Sequence, residues 1–299
     1  MRRMGERGRS PWREEATDDN ANVAIGPYFG SWDMTGIDQF TVPGDGLGME
    51  VIDMTQANWV DAYALVAIMC HVAAETAFGS QVEIYPPDHQ AVANYVARMH
   101  LPQELAPYDV VGLDRFPRVK ESDQGTALLP LTVCRRNEYE SVSEFLANRL
   151  RRHVDPEALN AVYEGVNELG ANVVEHSQSD GAFLAAQTYR RGQSNEEIVF
   201  AVGDVGVGIR SSLEARYSIQ SDAQALQLAV TEGVSGVDDP ARGIGLASVV
   251  ESARMLRGSS VVRSGSAALL LFQHGTTPIV VGDQLGTTVG AKIRSRPGA

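Results

Sequence analysis

Apolar residues recur along this chain with two periods, and the switches between them mark its elements. Glu50–Met54 reads as a short strand. Leu65, Ile68, Met69 and Val72 then fall at helical spacing, which predicts an apolar helix over Ala62–Ala77, stopped at Gly79. Gln81–Tyr85 alternates as a second strand, Pro86 and Pro87 break the chain, and His89–His100 suits another helix. Between Leu101 and Pro130 the residues Pro102, Pro107, Pro117, Gly112 and Gly125 interrupt any period, which predicts an irregular interdomain connection.

A second β/α series follows. Leu128–Cys134 reads as a strand and Ser141–His153 as an amphipathic helix, after which Asp155-Pro156 supplies an N-cap and a first-turn proline. The helix they open, Pro156 to about His176, has Leu159, Val162, Val166, Leu169 and Val173 on one face. Glu164, Glu168 and Asn172 form a polar stripe on another. Ala182–Arg190 and Ile198–Val202 read as strands, the second running into the glycine-rich string Gly203–Gly208. Beyond lie a helix over Ala223–Thr231, a polar segment over Gly233–Gly243, and a helix over Ile244–Leu256. Val261-Val262, Ala268–Phe272, Pro278–Val281 and Thr288–Ile293 close the chain as strands.

Composition narrows the function classes. A length of 299 residues fits two medium domains, and 43% hydrophobic with 21% charged residues is globular. The net charge of −13 repels polyanions, so nucleic acid is not an expected partner. The longest apolar stretches, Ala62–Met69 and Ala267–Phe272, fall short of the roughly 20 residues that span a bilayer, so no membrane role is expected. Residues 1–24 form an expected disordered, charged tail whose Arg2, Arg3, Arg7, Arg9 and Arg13 precede no apolar run of a secretory signal. Cys70 and Cys134 lack CxxC spacing, which argues against a disulfide framework and a cysteine zinc site and fits a reducing, cytoplasmic setting.

Three strings carry candidate chemistry: NELGANVVEHS (Asn167–Ser177), GDVGVGI (Gly203–Ile209) and RGIGLASVVE (Arg242–Glu251). Glu168 and Asn172 lie one helical turn apart, so a hard amide ligand for magnesium stands beside a carboxylate able to take a proton. Asp204 ends a strand, where it can accept a hydrogen bond from an amino group or simply form a turn, and Gly206 and Gly208 let backbone approach a flat ligand. Gly243 and Gly245 precede the helix from Leu246, whose first N–H groups can receive phosphates. Arg242 reads equally as a γ-phosphate contact or as a solvated surface arginine.

In this order, with GTTV (Gly286–Val289) before the last strand, the strings resemble the GHKL ATP-binding domain of histidine kinases, DNA gyrase, Hsp90, MutL and the anti-sigma-factor serine kinases. The resemblance covers roughly residues 135–296. It implies ATP and magnesium as cofactors, with Asn172 on the metal, Glu168 as general base and Asp204 on adenine. It further implies a lid from about Ile209 to Arg242 hinged by Gly243 and Gly245, and Thr287 beside the base. A late-strand lysine of the gyrase kind has no counterpart, and no phosphoacceptor histidine precedes the domain.

The first half, VIDMTQANWVDAYALVAIMCHVAAETAFGSQVEIYPP, resembles a STAS domain, the module of anti-sigma-factor antagonists. Asp61 stands where that family has its phosphorylation loop, but Ala62 and Tyr63 replace the acceptor serine. The expected fold is therefore a two-layer α/β architecture: tail 1–24, a STAS-like α/β domain at 25–110, a linker at 111–127, and a GHKL (Bergerat-type) α/β sandwich at 128–299. The resemblances imply an ATP- and magnesium-dependent regulator of the anti-sigma or serine-kinase-like type, a weak ATPase or serine/threonine protein kinase. Its partner would be a sigma factor or antagonist-like protein. A dimeric clamp of the Hsp90/MutL kind, with a homodimer, and a nucleotide-free scaffold are the alternatives.

Overall fold

Residues 24–25, 30–34, 49–120, 127–135, 137–179, 181–191, 195–231, 234 and 245–296 are described by the computed structural model of the chain. Its first half holds β1 (Ala24–Ile25), β2 (Gly30–Trp32), β3 (Met49–Asp53), β4 (Ala57–Val60), α1 (Ala62–Ala77), β5 (Gln81–Tyr85), α2 (Gln90–Arg98) and α3 (Leu101–Leu105). β1, β3 and β5 form a parallel three-stranded sheet, and β2 pairs in parallel with β4.

α1 begins at Ala62 because Asp61 caps it: one carboxylate oxygen accepts the Ala64 N–H at 3.0 Å, the other the Met34 N–H at 3.4 Å. Asp61 is buried, and burial above all, with Asp33 adding to it, pushes its carboxyl up to about 7. The unfolded chain would titrate this group near an ordinary aspartate value, about 4. Between those two values the fold holds a proton that the unfolded chain has released, so stability falls as pH rises through the window. Asp61→Asn keeps a capping oxygen and removes the buried charge. Thermal unfolding of this variant should show a higher midpoint at pH 8 and a shallower fall between pH 5 and 8. A pH profile identical to that of the parent would contradict this account.

The second half holds β6 (Ala127–Arg135), α4 (Tyr139–Leu150), α5 (Pro156–Asn172), β7 (Gly181–Arg191), β8 (Asn195–Asp204), α6 (Gly208–Leu213), α7 (Asp222–Ala229) and α8 (Gly245–Met255). The strands β9 (Ser259–Ser264), β10 (Ala267–Phe272), β11 (Gly275–Val280) and β12 (Thr287–Ser295) complete it. Seven strands build one antiparallel sheet in the order β11-β10-β9-β12-β8-β7-β6.

Both faces of the middle of this sheet are covered. Ile198, Phe200 and Val202 of β8 join the core under α4, α5 and α8, while the alternating Val199 and Ala201 join the core under α1. A strand covered on both faces reads as an unbroken apolar run. α1 has twelve buried residues among its sixteen, so it is apolar all round and is sandwiched between the small sheet and the large one. Glycine makes the close approach feasible: a Cβ at Gly203 would stand 2.7 Å from a Val66 methyl, and one at Gly290 would stand 2.6 Å from the Tyr63 ring. The molecule is thus mixed α/β with an antiparallel sheet, and α1 adds a layer to the two expected.

The stretch expected to be an irregular connection is folded over much of its length. Leu101, Leu105, Val110 and Phe116 are buried, and Val111 exchanges backbone hydrogen bonds with Val82 and Ile84 beside β5. Pro102 and Pro107 sit in α3 and a 3-10 turn, at first-turn positions where a missing N–H costs nothing. Residues 121–126 of the expected linker, and residues 1–23 of the expected tail, lie outside the described residues. Among the described residues no helix is long and apolar enough to cross a membrane.

Candidate functional site

α5 is set by its ends. Asp155 caps it through the Ala158 N–H at 2.9 Å, Pro156 fills its first turn, and the other Asp155 oxygen accepts the Ser295 hydroxyl at 2.9 Å and the Arg296 N–H at 2.8 Å. The helix is thereby fastened to the end of β12. Its far end widens into a π turn, Val173–Ser177, where the hydrophobic spacing predicted plain α-helix. The extra residue in that turn brings the Ser177 carbonyl to the Val207 N–H at 2.8 Å. A side chain on Gly206 would collide with this same carbonyl, so the glycine loop seats against the π turn because Gly206 has no Cβ.

Asp204 ends β8, buried and opposite Thr287 of β12. Its Oδ1 accepts the Gly206 N–H at 2.7 Å and so shapes the turn. Burial pushes the carboxyl up to about 6, against hydrogen bonds from Gly206 and Thr287 that favour the ionised form. Gly208 takes a left-handed φ of 78° and opens α6, whose Ile209 N–H donates to Ser264 Oγ at 3.0 Å. That serine donates in turn to the Gly286 carbonyl at 2.7 Å, which ties the glycine loop to β9 and the start of β12.

Gly245 opens α8 beside α5. A Cβ there would lie 2.6 Å from Glu168 Oε2 and 3.6 Å from Asn172 Nδ2, so the first turn of α8 stands directly against this pair. Glu168 is exposed and Asn172 half-buried. Together these elements enclose a cavity of about 860 Å³, its open mouth included. Asn172, Asp204, Gly208, Gly245, Leu246 and Thr287 all line it; Glu168 and Gly206 border it without lining it. Arg242 and Gly243 lie outside the described residues.

Most of the wall is apolar: Leu169, Val173, Val202, Leu213 and Val289 surround a few polar groups, the composition of a small-molecule pocket. These residues, with Ser177 and Ser212, escaped the sequence reading because apolar and small side chains carry no chemical signature. α6 and α7 occupy part of the span expected to be a lid. The spacing of Ile209 and Leu213 was the one available signal for α6, too short to establish a period.

Could the residues present accept magnesium? Among the described residues no group of three or more His, Cys, Asp or Glu side chains gathers as a metal cage. The donor set is instead the amide of Asn172 with Glu168 nearby, at the glycine cradle that opens α8. Magnesium keeps several waters and is commonly held by one or two protein oxygens plus phosphates, so this sparse set fits it in company with a nucleotide.

No protein-family profile matches the chain, and no curated protein matches it. Among solved structures it is similar to the mycobacterial sensor histidine kinase MprB, at 16% identity over 56% of this chain and 99% of that one, with a TM-score of 0.29. A likeness that weak carries neither fold nor function across. The class defined here by fold and cavity is an α/β protein with a largely apolar cavity at the ends of β8 and β12.

Proposed function

We propose that the cavity binds ATP with magnesium and that its occupancy controls a protein partner, as in the GHKL proteins of the anti-sigma and serine-kinase-like type. The observation that carries this reading is the shared cavity: Asn172 and Asp204, on separate elements, face it together with the glycine that opens α8. Asp204 would accept from the adenine amino group, with Thr287 beside the base. The first N–H groups of α8, from Gly245 and Leu246, would take the phosphates. Asn172 would hold magnesium, which supplies charge neutralisation between phosphates. Glu168, exposed one turn earlier, would take a proton from water or from a protein hydroxyl, giving weak ATPase or serine/threonine kinase activity.

The α1 unit is the STAS-like regulatory module in this reading, and α1 bears directly on β8 behind Asp204. A change in the cavity would reach it through Gly203, against which Cys70 and Val66 pack. The partner is a sigma-factor or antagonist-like protein in a cytoplasmic setting, bound differently by the two nucleotide states.

Base choice tests the Asp204 assignment. GTP presents a carbonyl where ATP presents an amine, and a carboxylate cannot donate to it. Calorimetry on the parent protein should show ATP at least about tenfold tighter than GTP, a difference of roughly 1.4 kcal/mol. Asp204→Asn, whose amide can donate, should narrow that gap. Equal affinities for the two nucleotides in the parent would remove Asp204 from base recognition.

A further inference from the structure

One wall of the cavity is built by α6 and α7, through Ile209, Ser212 and Leu213 of the first and Ala229 of the second. Both helices are short, six and eight residues, and helices of that length have little stability of their own. Contacts outside them therefore decide where this wall stands. Beyond its first turn α7 is seated by Ala225 and Leu226, each 1% exposed. Its first residue is Asp222, which stands outside the lining of that cavity.

Asp222 reaches the tight turn between β9 and β10. Its Oδ2 accepts the Ser266 N–H at 2.9 Å and the Ser266 hydroxyl at 2.7 Å, and its Oδ1 pairs with Arg210 of α6 at 3.5 Å. One carboxylate thus joins α6, α7 and the turn. Arg210 is 44% exposed, so the two Ser266 bonds are the firmer part of the junction. Burial by itself would raise this carboxyl, but the Ser266 hydrogen bonds and Arg210 outweigh it and hold the group below the ordinary aspartate range, so it is ionised at pH 7. The turn is a fixed post: Gly265 exchanges backbone hydrogen bonds with Gln284 at 3.2 and 3.1 Å, and the Val281 N–H donates to the Ser266 carbonyl at 3.0 Å. Gly265, at a left-handed φ of 59°, also leaves room for the carboxylate, since an ideal Cβ there would stand 2.5 Å from Asp222 Oδ2.

We propose that Asp222 is a positioning residue for the nucleotide: it latches α6 and α7 to the β9–β10 turn and so holds one wall of the cavity in place without touching the ligand. This inference rests on the nucleotide reading above. Once the latch is broken the wall samples other positions, and apparent affinity falls with the fraction of molecules that keep it in place.

The test compares the parent chain with Asp222→Ala, Asp222→Asn, Gly265→Ala and the Asp222→Ala/Gly265→Ala double variant, by amide hydrogen exchange without nucleotide and by calorimetric titration with magnesium-ATP. In Asp222→Ala the amides of α6 should exchange at least about tenfold faster, with those of α5 and β8 unchanged, and ATP affinity should fall at least about fivefold. Asp222→Asn keeps an acceptor for Ser266 and should recover most of that loss. Gly265→Ala displaces the carboxylate from the side of the turn and should reproduce both changes in part, and the double variant should lose no more than Asp222→Ala alone. Unchanged exchange in α6, ATP affinity within about twofold of the parent in folded Asp222→Ala, no recovery in Asp222→Asn, or additive losses in the double variant would each overturn the latch. A parent that binds no ATP would overturn the nucleotide reading instead, and exchange in the nucleotide-free protein tells the two failures apart.

Discussion

Asn172→Ala should cost at least about 100-fold in affinity for magnesium-ATP, near 2.7 kcal/mol, while leaving the fold intact. The side chain is half-buried at the cavity wall on the last turn of α5, so truncation opens no cavity in the core beneath Leu169 and Val166. What it removes is the side-chain amide whose nitrogen lies 3.6 Å from an ideal Cβ at Gly245, where α8 begins. The metal would then lose its protein ligand, and the nucleotide would lose the partner that neutralises its phosphates. Titration with ATP in magnesium and again in excess chelator separates the two contributions. The parent should lose most of its affinity in chelator, and the variant should bind alike in both buffers. Unchanged magnesium-ATP affinity in the variant would remove the amide from the site.

Phe200→Ala should be the most damaging single core truncation, lowering the unfolding free energy by about 3–5 kcal/mol. Phe200 is 2% exposed at the centre of β8, and its ring fills the space that a side chain on Gly165 of α5 would occupy, 2.8 Å from that ideal Cβ. Ring and glycine together set how closely α5 lies on the sheet, with Val249 of α8 alongside. Typical domains have about 5–15 kcal/mol in total, so the variant would be marginal and α5 would lose its seat. Urea denaturation checks this: the midpoint should drop with little change in slope. A loss below about 1 kcal/mol would mean that α5 is positioned by other contacts.

Where single residues govern an element's ends, the sequence reading reached the structure. Gly79 ends α1, and Asp155 and Pro156 open α5, as their chemistry predicts. The failures share a different cause. β4 is four residues long with Asn58 and Trp59 facing out, so it shows no alternation to detect. α3 is hidden by Pro102, which reads as a breaker and acts as a first-turn residue. The π turn at Val173–Ser177 leaves no periodic trace, since one added residue in a helix is invisible to a moment. Most consequential is the second face of the large sheet: Tyr63, Val66 and Cys70 are plainly core residues in the sequence, but nothing local says that their partners are Gly290 and Gly203.

The candidate site divides in the same way. Asn172, Asp204 and the glycines were legible because their chemistry is unusual at those positions. The apolar wall that gives the cavity its shape was not, because Val202 and Val289 are ordinary strand residues until the fold turns them towards it.

The central claim is that a purine nucleotide occupies the space between α5, the glycine loop and the start of α8. The most direct measurement is a crystal structure of the chain grown with a non-hydrolysable ATP analogue and magnesium. The account predicts adenine against Asp204, phosphates at the first turn of α8, and the metal on Asn172. An analogue bound elsewhere, or a metal held away from Asn172, would contradict it.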